Sequence, residues 1–130
     1  MTERTEVSGD PLTAPFWAAA ASGRLLVQRC AGCGGHQLYP RPFCIGCQSD
    51  DVEWVPAAGT GTVYTMTTVH MEVGPDLEPP YVVAVVELDE GPRLLTNLLD
   101  RDLRIGDRVR VGWRPRGGLP PFPVFGRDAR

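Results

Sequence analysis

Lysine is missing from the 130 residues: all 13 basic side chains are arginine. Every side-chain cation is therefore a planar guanidinium, suited to bidentate contact with phosphate. Long apolar runs are missing too. The longest, Phe16-Trp17-Ala18-Ala19-Ala20-Ala21 and Val82-Val83-Ala84-Val85-Val86, fall far short of the roughly 18 residues a membrane helix needs, which argues against a membrane span. The opening Met1-Thr2-Glu3-Arg4-Thr5-Glu6 lacks the apolar region of a signal peptide, so a cytoplasmic, reducing location is expected. Of only two histidines, His36 lies between the cysteine pairs and His70 beside Val69 and Met71; neither belongs to a nucleophile, base and orienter set. Gly59-Thr60-Gly61-Thr62 lacks the full spacing of a dinucleotide or Walker loop, and no helix signal follows it. No active site is expected.

What is present is glycine and proline, 15 and 13 residues, beside an ordinary 42% of hydrophobic and 22% of charged residues. That balance builds a core but favours turns and short strands over long helices. The net charge of −3 hides an asymmetry: residues 48–90 carry nine acids and no arginine, whereas 91–130 carry nine arginines against four acids. An arginine-rich half attracts phosphates of nucleic acid or of a phosphorylated cofactor; the plainer reading is a solvated sheet face.

Residues 1–10 read as a flexible arm. Thr13 and Pro15 signal the start of a short helix carrying Phe16 and Trp17, and Ser22-Gly23 its end. Leu25 to Arg29 reads as a strand running into Cys30-Ala31-Gly32-Cys33 and, ten residues on, Cys44-Ile45-Gly46-Cys47. Two C-x2-C turns place four sulfurs around one tetrahedral ion, and Gly32, Gly34 and Gly46 suit the positive-φ turns that aim N–H groups at thiolates. Cys30, Cys33, Cys44 and Cys47 are thus expected to form a zinc ribbon with a closed, structural Zn²⁺; iron of the rubredoxin kind and disulfides are the rivals, and a site using His36 in place of one cysteine is conceivable.

From Gly59 onward the pattern is that of a small β-barrel. A long first strand, Gly61 to Val73, has a slip in its alternation near Thr67-Thr68, where a bulge is expected. Such a long, bent first strand is characteristic of the OB-fold. Gly74 to Pro80 forms an acidic loop. In the second strand, Tyr81 to Leu88, inward Val82, Ala84, Val86 and Leu88 leave Val83 and Val85 to be covered by another element or protein. A turn at Asp89-Glu90-Gly91-Pro92 leads into Arg93 to Leu99. A later strand puts Val109, Val111 and Trp113 on one face and Arg108, Arg110 and Arg114 on the other. Pro115 to Pro123 is expected as a loop before a short Val124-Phe125 edge strand. The fold is thus mainly β: an arm and helix over 1–29, a zinc ribbon over 30–56 and a five-stranded OB-fold over 57–130.

Several stretches together resemble the DUF35 family: Pro15-Phe16-Trp17 with Gly23-Arg24-Leu25-Leu26, the run Cys30 to Cys47 with Tyr39-Pro40-Arg41, Trp54, Gly59 to Tyr64, Val69-His70, Pro80-Tyr81, Val86 to Gly91, Ile105 to Val109, and Leu119-Pro120-Pro121-Phe122. The resemblance implies a rubredoxin-like zinc ribbon joined to an OB-fold, acting as a non-catalytic partner of thiolase-superfamily enzymes: thiolases, acyltransferases or lipid-transfer-protein-like aldolases. It also implies relatives fused to or paired with MaoC-type enoyl-CoA hydratases, as in steroid side-chain breakdown, and a barrel that helps bind or channel acyl-CoA. A heterotetramer with two copies of each subunit follows by the same analogy. Phe16, Trp17, Val83 and Val85 are the candidate partner contacts, and Arg108, Arg110 and Arg114 the candidates for CoA phosphates. The alternative is a single-stranded nucleic-acid module tracked by Arg108, Arg110, Arg114 and Arg116; the acidic pI near 5.3 and the scarcity of strand aromatics weigh against it.

Overall fold

The computed structural model describes residues 11–72 and 77–128. The arm over 1–10, Val73 and the start of the acidic loop lie outside them. Helix α1 (Ala14–Ala20) makes two turns, with Pro15 in the first, where its missing N–H leaves no bond unmade. Thr13 stands at the N-cap but makes no side-chain capping bond, so proline and packing start this helix. Its end is as expected: Gly23 at φ +73° donates to the Ala20 carbonyl and Arg24 to that of Ala19, both at 2.9 Å. Phe16, Ala19 and Ala20 are buried, the alanines letting the helix axis lie close to its neighbours.

Strands β1 (Leu26–Cys30), β2 (His36–Gln37) and β3 (Val52–Pro56) form an antiparallel sheet in the order β2-β1-β3. β4 (Thr60–Val69), β5 (Tyr81–Leu88), β6 (Arg93–Leu98), β7 (Arg108–Arg116) and β8 (Leu119–Arg127) close a five-stranded barrel in the order β4-β5-β6-β8-β7. β4 pairs with β5 along its length and with β7 through Thr60, Gly61 and Thr62, so one strand serves both sides of the barrel. Gly61 is indispensable at this crossing: a Cβ there would stand 2.5 Å from the Glu87 carbonyl oxygen.

Two local expectations are corrected. The bulge falls at Tyr64, between Val63↔Val86 and Thr65↔Val85, and not at Thr67-Thr68. Tyr64 is exposed beneath the Arg93 guanidinium, 3.8 Å from its ring centroid, while the inward positions before it are Gly61 and Val63. Counting Tyr64 as core-facing shifted the apparent phase. Residues 115–123 are not a loop: β7 and β8 are nine residues each, turning tightly at Gly117-Gly118, with Gly118 at φ +75°. The prolines are tolerated because β8 pairs fully with β7 but meets β6 at one position, Leu98↔Phe125, so most of its other edge has no ladder to break.

In β5 burial alternates as expected, with Val82, Ala84, Val86 and Leu88 inward and Val83 and Val85 half-buried. One buried cluster joins Phe16, Leu25 and Val27 to Val63, Leu88, Val109 and Phe125, so the core runs without a break from helix and ribbon into barrel. Among the described residues no helix is long and apolar enough to cross a membrane.

Candidate functional site

The end of β1 and the loop before β3 bring Cys30, Cys33, Cys44 and Cys47 together, all four sulfurs lying within 4.8 Å of one another. Two Sγ pairs, Cys30 with Cys47 and Cys33 with Cys44, are 3.6 and 3.7 Å apart. Zinc–sulfur bonds of about 2.3 Å in a tetrahedron place ligands about 3.8 Å apart, so the set fits Zn²⁺. His36 is not part of this group.

The two knuckles are built alike. The N–H of Gly34 donates to the Cys30 carbonyl and that of Gln48 to the Cys44 carbonyl, both at 2.8 Å, while the N–H groups of Cys30 and Cys44 donate to the carbonyls of Gly35 and Ser49. The left-handed residue of each follows its second cysteine: Gly34 at φ +79° and Gln48 at φ +68°. Gly32 and Gly46, also expected to supply that conformation, do not.

Backbone N–H groups then aim at sulfur, Cys33 toward Cys30 at 3.4 Å and Gly46 and Cys47 toward Cys44 at 3.3 and 3.5 Å. Donors from Cys47 and Gly46 hold the Cys44 thiol down to about 6, and the Cys33 N–H lowers that of Cys30. Cys47 goes the other way: the Ser49 N–H pulls it down, but the surrounding sulfurs of Cys30, Cys33 and Cys44 together push it up to about 12. All four could be thiolates together only with a cation among them, a charge that a structural Zn²⁺ held by Cys30, Cys33, Cys44 and Cys47 would supply.

Behind the second knuckle a buried polar cluster fixes the loop. Gln37 donates to Gln28 Oε1 at 2.8 Å and to the Phe43 carbonyl, and its Oε1 accepts from the Ile45 N–H. Gln28 in turn holds both the N–H and the carbonyl of Arg41.

A second feature is an apolar cleft of about 260 Å³ where helix, ribbon and barrel meet, lined by Phe16, Trp17, Leu38, Tyr39, Leu94, Leu95, Phe122 and Pro123 among others. Trp17 stands edge-on to Phe16 at 4.9 Å and faces Phe122 at 6.4 Å. Val83 and Val85 border shallower hollows that share Leu95 with the cleft. Trp17, Val83 and Val85 thus lie around one apolar surface, whereas Phe16, only 8% exposed, is core that props Trp17 from behind.

The three candidate arginines do not form one set. Arg108 is held by Asp89 through two bonds of 2.8 and 2.9 Å and by the Thr62 hydroxyl, and Arg110 faces Asp128 at 3.3 Å. Arg114 lies over the Phe122 ring at 5.4 Å. Arg116, which sequence reasoning placed only on the nucleic-acid track, stacks on Trp17 at 5.0 Å. Tyr39, Leu95 and Phe122 were also missed as site residues. The signal was there in Tyr39-Pro40 and Pro121-Phe122, aromatics beside prolines, yet nothing in the sequence brings those stretches together.

Comparison with known proteins follows this architecture. Residues 17–53 match the rubredoxin-like zinc ribbon domain of ChsH2, and residues 54–114 its C-terminal OB-fold domain. The chain is 44% identical over 114 residues to a probable enoyl-CoA hydratase alpha subunit of Thermomonospora curvata, 85% of this chain but 36% of that protein. It is 33% identical over 111 residues to the 3-oxo-4,17-pregnadiene-20-carboxyl-CoA hydratase alpha subunit of Mycobacterium tuberculosis, again 85% of this chain and 34% of the relative. It therefore spans about a third of those two proteins. A DUF35 domain-containing scaffold protein of Methanocaldococcus jannaschii is 34% identical over 97 residues, 69% of this chain and 67% of that one. A chain in the solved structure of an Ltp2-ChsH2(DUF35) aldolase superposes with a TM-score of 0.83 at 40% identity, over 91% of this chain and 95% of that chain.

Proposed function

Because the chain belongs to the DUF35 family, we propose that it is a non-catalytic subunit that docks on a thiolase-superfamily acyl-CoA enzyme and helps bind or channel its acyl-CoA. The partner is a thiolase, an acyltransferase or a lipid-transfer-protein-like aldolase, with steroid side-chain breakdown as one setting and two copies of each subunit as the assembly. The observation that carries this reading is the likeness, across nearly all of both chains, to the chain in the Ltp2-ChsH2 aldolase. The scaffold name of the archaeal relative and a metal set filled by four protein ligands both support a role without chemistry of its own. The hydratase names belong to relatives about three times as long as the matched stretch; on this reading hydration is the work of their remaining length.

In this role the N-terminal helix and the zinc ribbon over 30–56 form a rigid docking platform for the partner, while the barrel over 57–130 covers the mouth of the partner's acyl-CoA channel. Trp17, Val83 and Val85 make apolar contacts, Phe16 acts by holding Trp17, and Arg114 is the best placed of the three arginines to meet a CoA phosphate. Arg108 and Arg110 would first have to leave their carboxylates, which also speaks against a continuous nucleic-acid track.

The test is affinity purification of the tagged chain from its native host, with mass spectrometry of whatever is recovered at stoichiometric yield. A thiolase-like or aldolase-like subunit is expected. Recovery of nucleic acid alone, or of the chain by itself, would overturn the reading.

A further inference from the structure

The cleft between helix, ribbon and barrel has fixed walls. Phe16, Leu94 and Pro123, all buried, form its floor. The two barrel strands that border it are tied together: Thr96 Oγ1 donates to the Pro123 carbonyl and the Leu99 N–H to that of Phe125, both at 2.8 Å. Tyr39 of the ribbon closes a further side, its hydroxyl oxygen accepting the Leu95 N–H at 2.8 Å. A hollow braced in this way is formed before anything enters it.

Its size sets the scale of a guest. An apolar cavity of about 150 Å³ takes up a benzene molecule. The cleft measures about 260 Å³, which admits a hydrocarbon body of roughly ten carbons on the same scale.

The lining narrows the chemistry. None of the lining residues is charged, and the guanidiniums of Arg114 and Arg116 stack on the Phe122 and Trp17 walls, so a cationic guest is disfavoured. A phenol both accepts and donates a hydrogen bond. The Tyr39 oxygen is occupied by Leu95, whereas its proton meets no acceptor among the described residues. What the ribbon presents at this apolar wall is therefore a donor held in place, which selects a guest carrying an acceptor oxygen.

We propose that the cleft binds a neutral apolar carbonyl compound of about ten carbons, its hydrocarbon body against Phe16, Leu94 and Phe122 and its carbonyl oxygen on the Tyr39 hydroxyl. The site goes beyond the partner reading, because it belongs to this chain alone. Through Leu95 it adjoins the surface that carries Val83 and Val85, so a partner docked there would border the guest.

The zinc-loaded full chain is titrated with α-tetralone and with tetralin, which match in carbon count and differ in the carbonyl. The Trp17 indole N–H is followed by nuclear magnetic resonance, and α-tetralone should shift it saturably. Tyr39→Phe keeps the ring and removes the donor. It should weaken α-tetralone about fivefold, the worth of one neutral hydrogen bond, and tetralin by less than about twofold; the tetralin arm thus reports any distortion caused by freeing the Leu95 N–H. Leu38→Trp, which fills the cleft from the ribbon side, should abolish binding, and β-aminotetralin, a cation of the same size, should bind roughly tenfold more weakly than α-tetralone.

Absence of a saturable Trp17 shift up to the solubility of α-tetralone, equal weakening of both compounds by Tyr39→Phe, or binding that survives Leu38→Trp would overturn the proposal. If α-tetralone binds while purification recovers no thiolase-like subunit, the partner reading fails and the site stands. If the subunit is recovered and α-tetralone does not bind, the site fails and the partner reading stands.

Discussion

Gln48 occupies in the second knuckle the left-handed position that Gly34 occupies in the first, at φ +68° against +79°. An L-residue pays about 1–2 kcal/mol for that conformation, against the roughly 0.5–1 kcal/mol of extra chain entropy that a glycine loses on folding. Gln48→Gly should therefore gain about 0.5–1 kcal/mol and raise the melting temperature by a few degrees at unchanged zinc content. Gln48→Val, β-branched, should lower it. Calorimetry of the three proteins beside metal analysis checks both signs.

Removing the metal should have a far larger effect. Cys30→Ser or Cys44→Ser should reduce bound zinc from one equivalent to nearly none. Each should lower stability by several kcal/mol, as should a strong chelator, because structural zinc contributes its binding energy to folding. Atomic emission and far-ultraviolet dichroism read both effects. Native folding and full metal content in these variants would remove the structural role.

Acid should weaken one cross-strand lock. Hydrogen bonds from Arg108 and then from Thr60 hold the Asp89 carboxyl down to about 2, from an ordinary 3.8. A carboxyl with a depressed folded value stabilises fully above its unfolded value and loses that contribution as pH falls through the folded one. The gain of wild type over Asp89→Asn should thus be constant above about pH 5 and vanish between about pH 4 and 2. Because the pair is half-exposed, the plateau should not exceed about 1 kcal/mol. Melting curves of both proteins across that range measure it.

Neighbouring aromatics should separate folding from docking. Phe16→Ala empties a core position shared by ribbon and barrel and should cost about 3–4 kcal/mol. Trp17→Ala removes a half-buried ring and should cost less stability, yet it should lose most of the recovered partner. Paired melting and purification experiments distinguish the two; equal losses on both counts would merge the roles.

The cysteine set was legible because its chemistry depends on local spacing, and the barrel because alternation in Tyr81–Leu88 and Arg108–Trp113 is regular. What was not legible depends on partners distant in the chain. Tyr64 reads as core until Arg93 is seen to lie over it, and Gln48 has no residue type that announces a positive φ. Arg108 and Arg110 read as free cations because Asp89 and Asp128 reach them only through strand pairing. The prolines of 115–123 spell a loop, and β8 escapes that rule only because most of one edge is unpaired.

The shared core has a consequence for anyone who would treat the ribbon as a detachable handle. Phe16, Leu25 and Val27 belong to the same buried cluster as Val109 and Phe125. A barrel excised after Pro56 would carry a raw apolar scar where they had been, and a ribbon grafted elsewhere would bring an unfilled socket with it. Transplanting either half means rebuilding the joint.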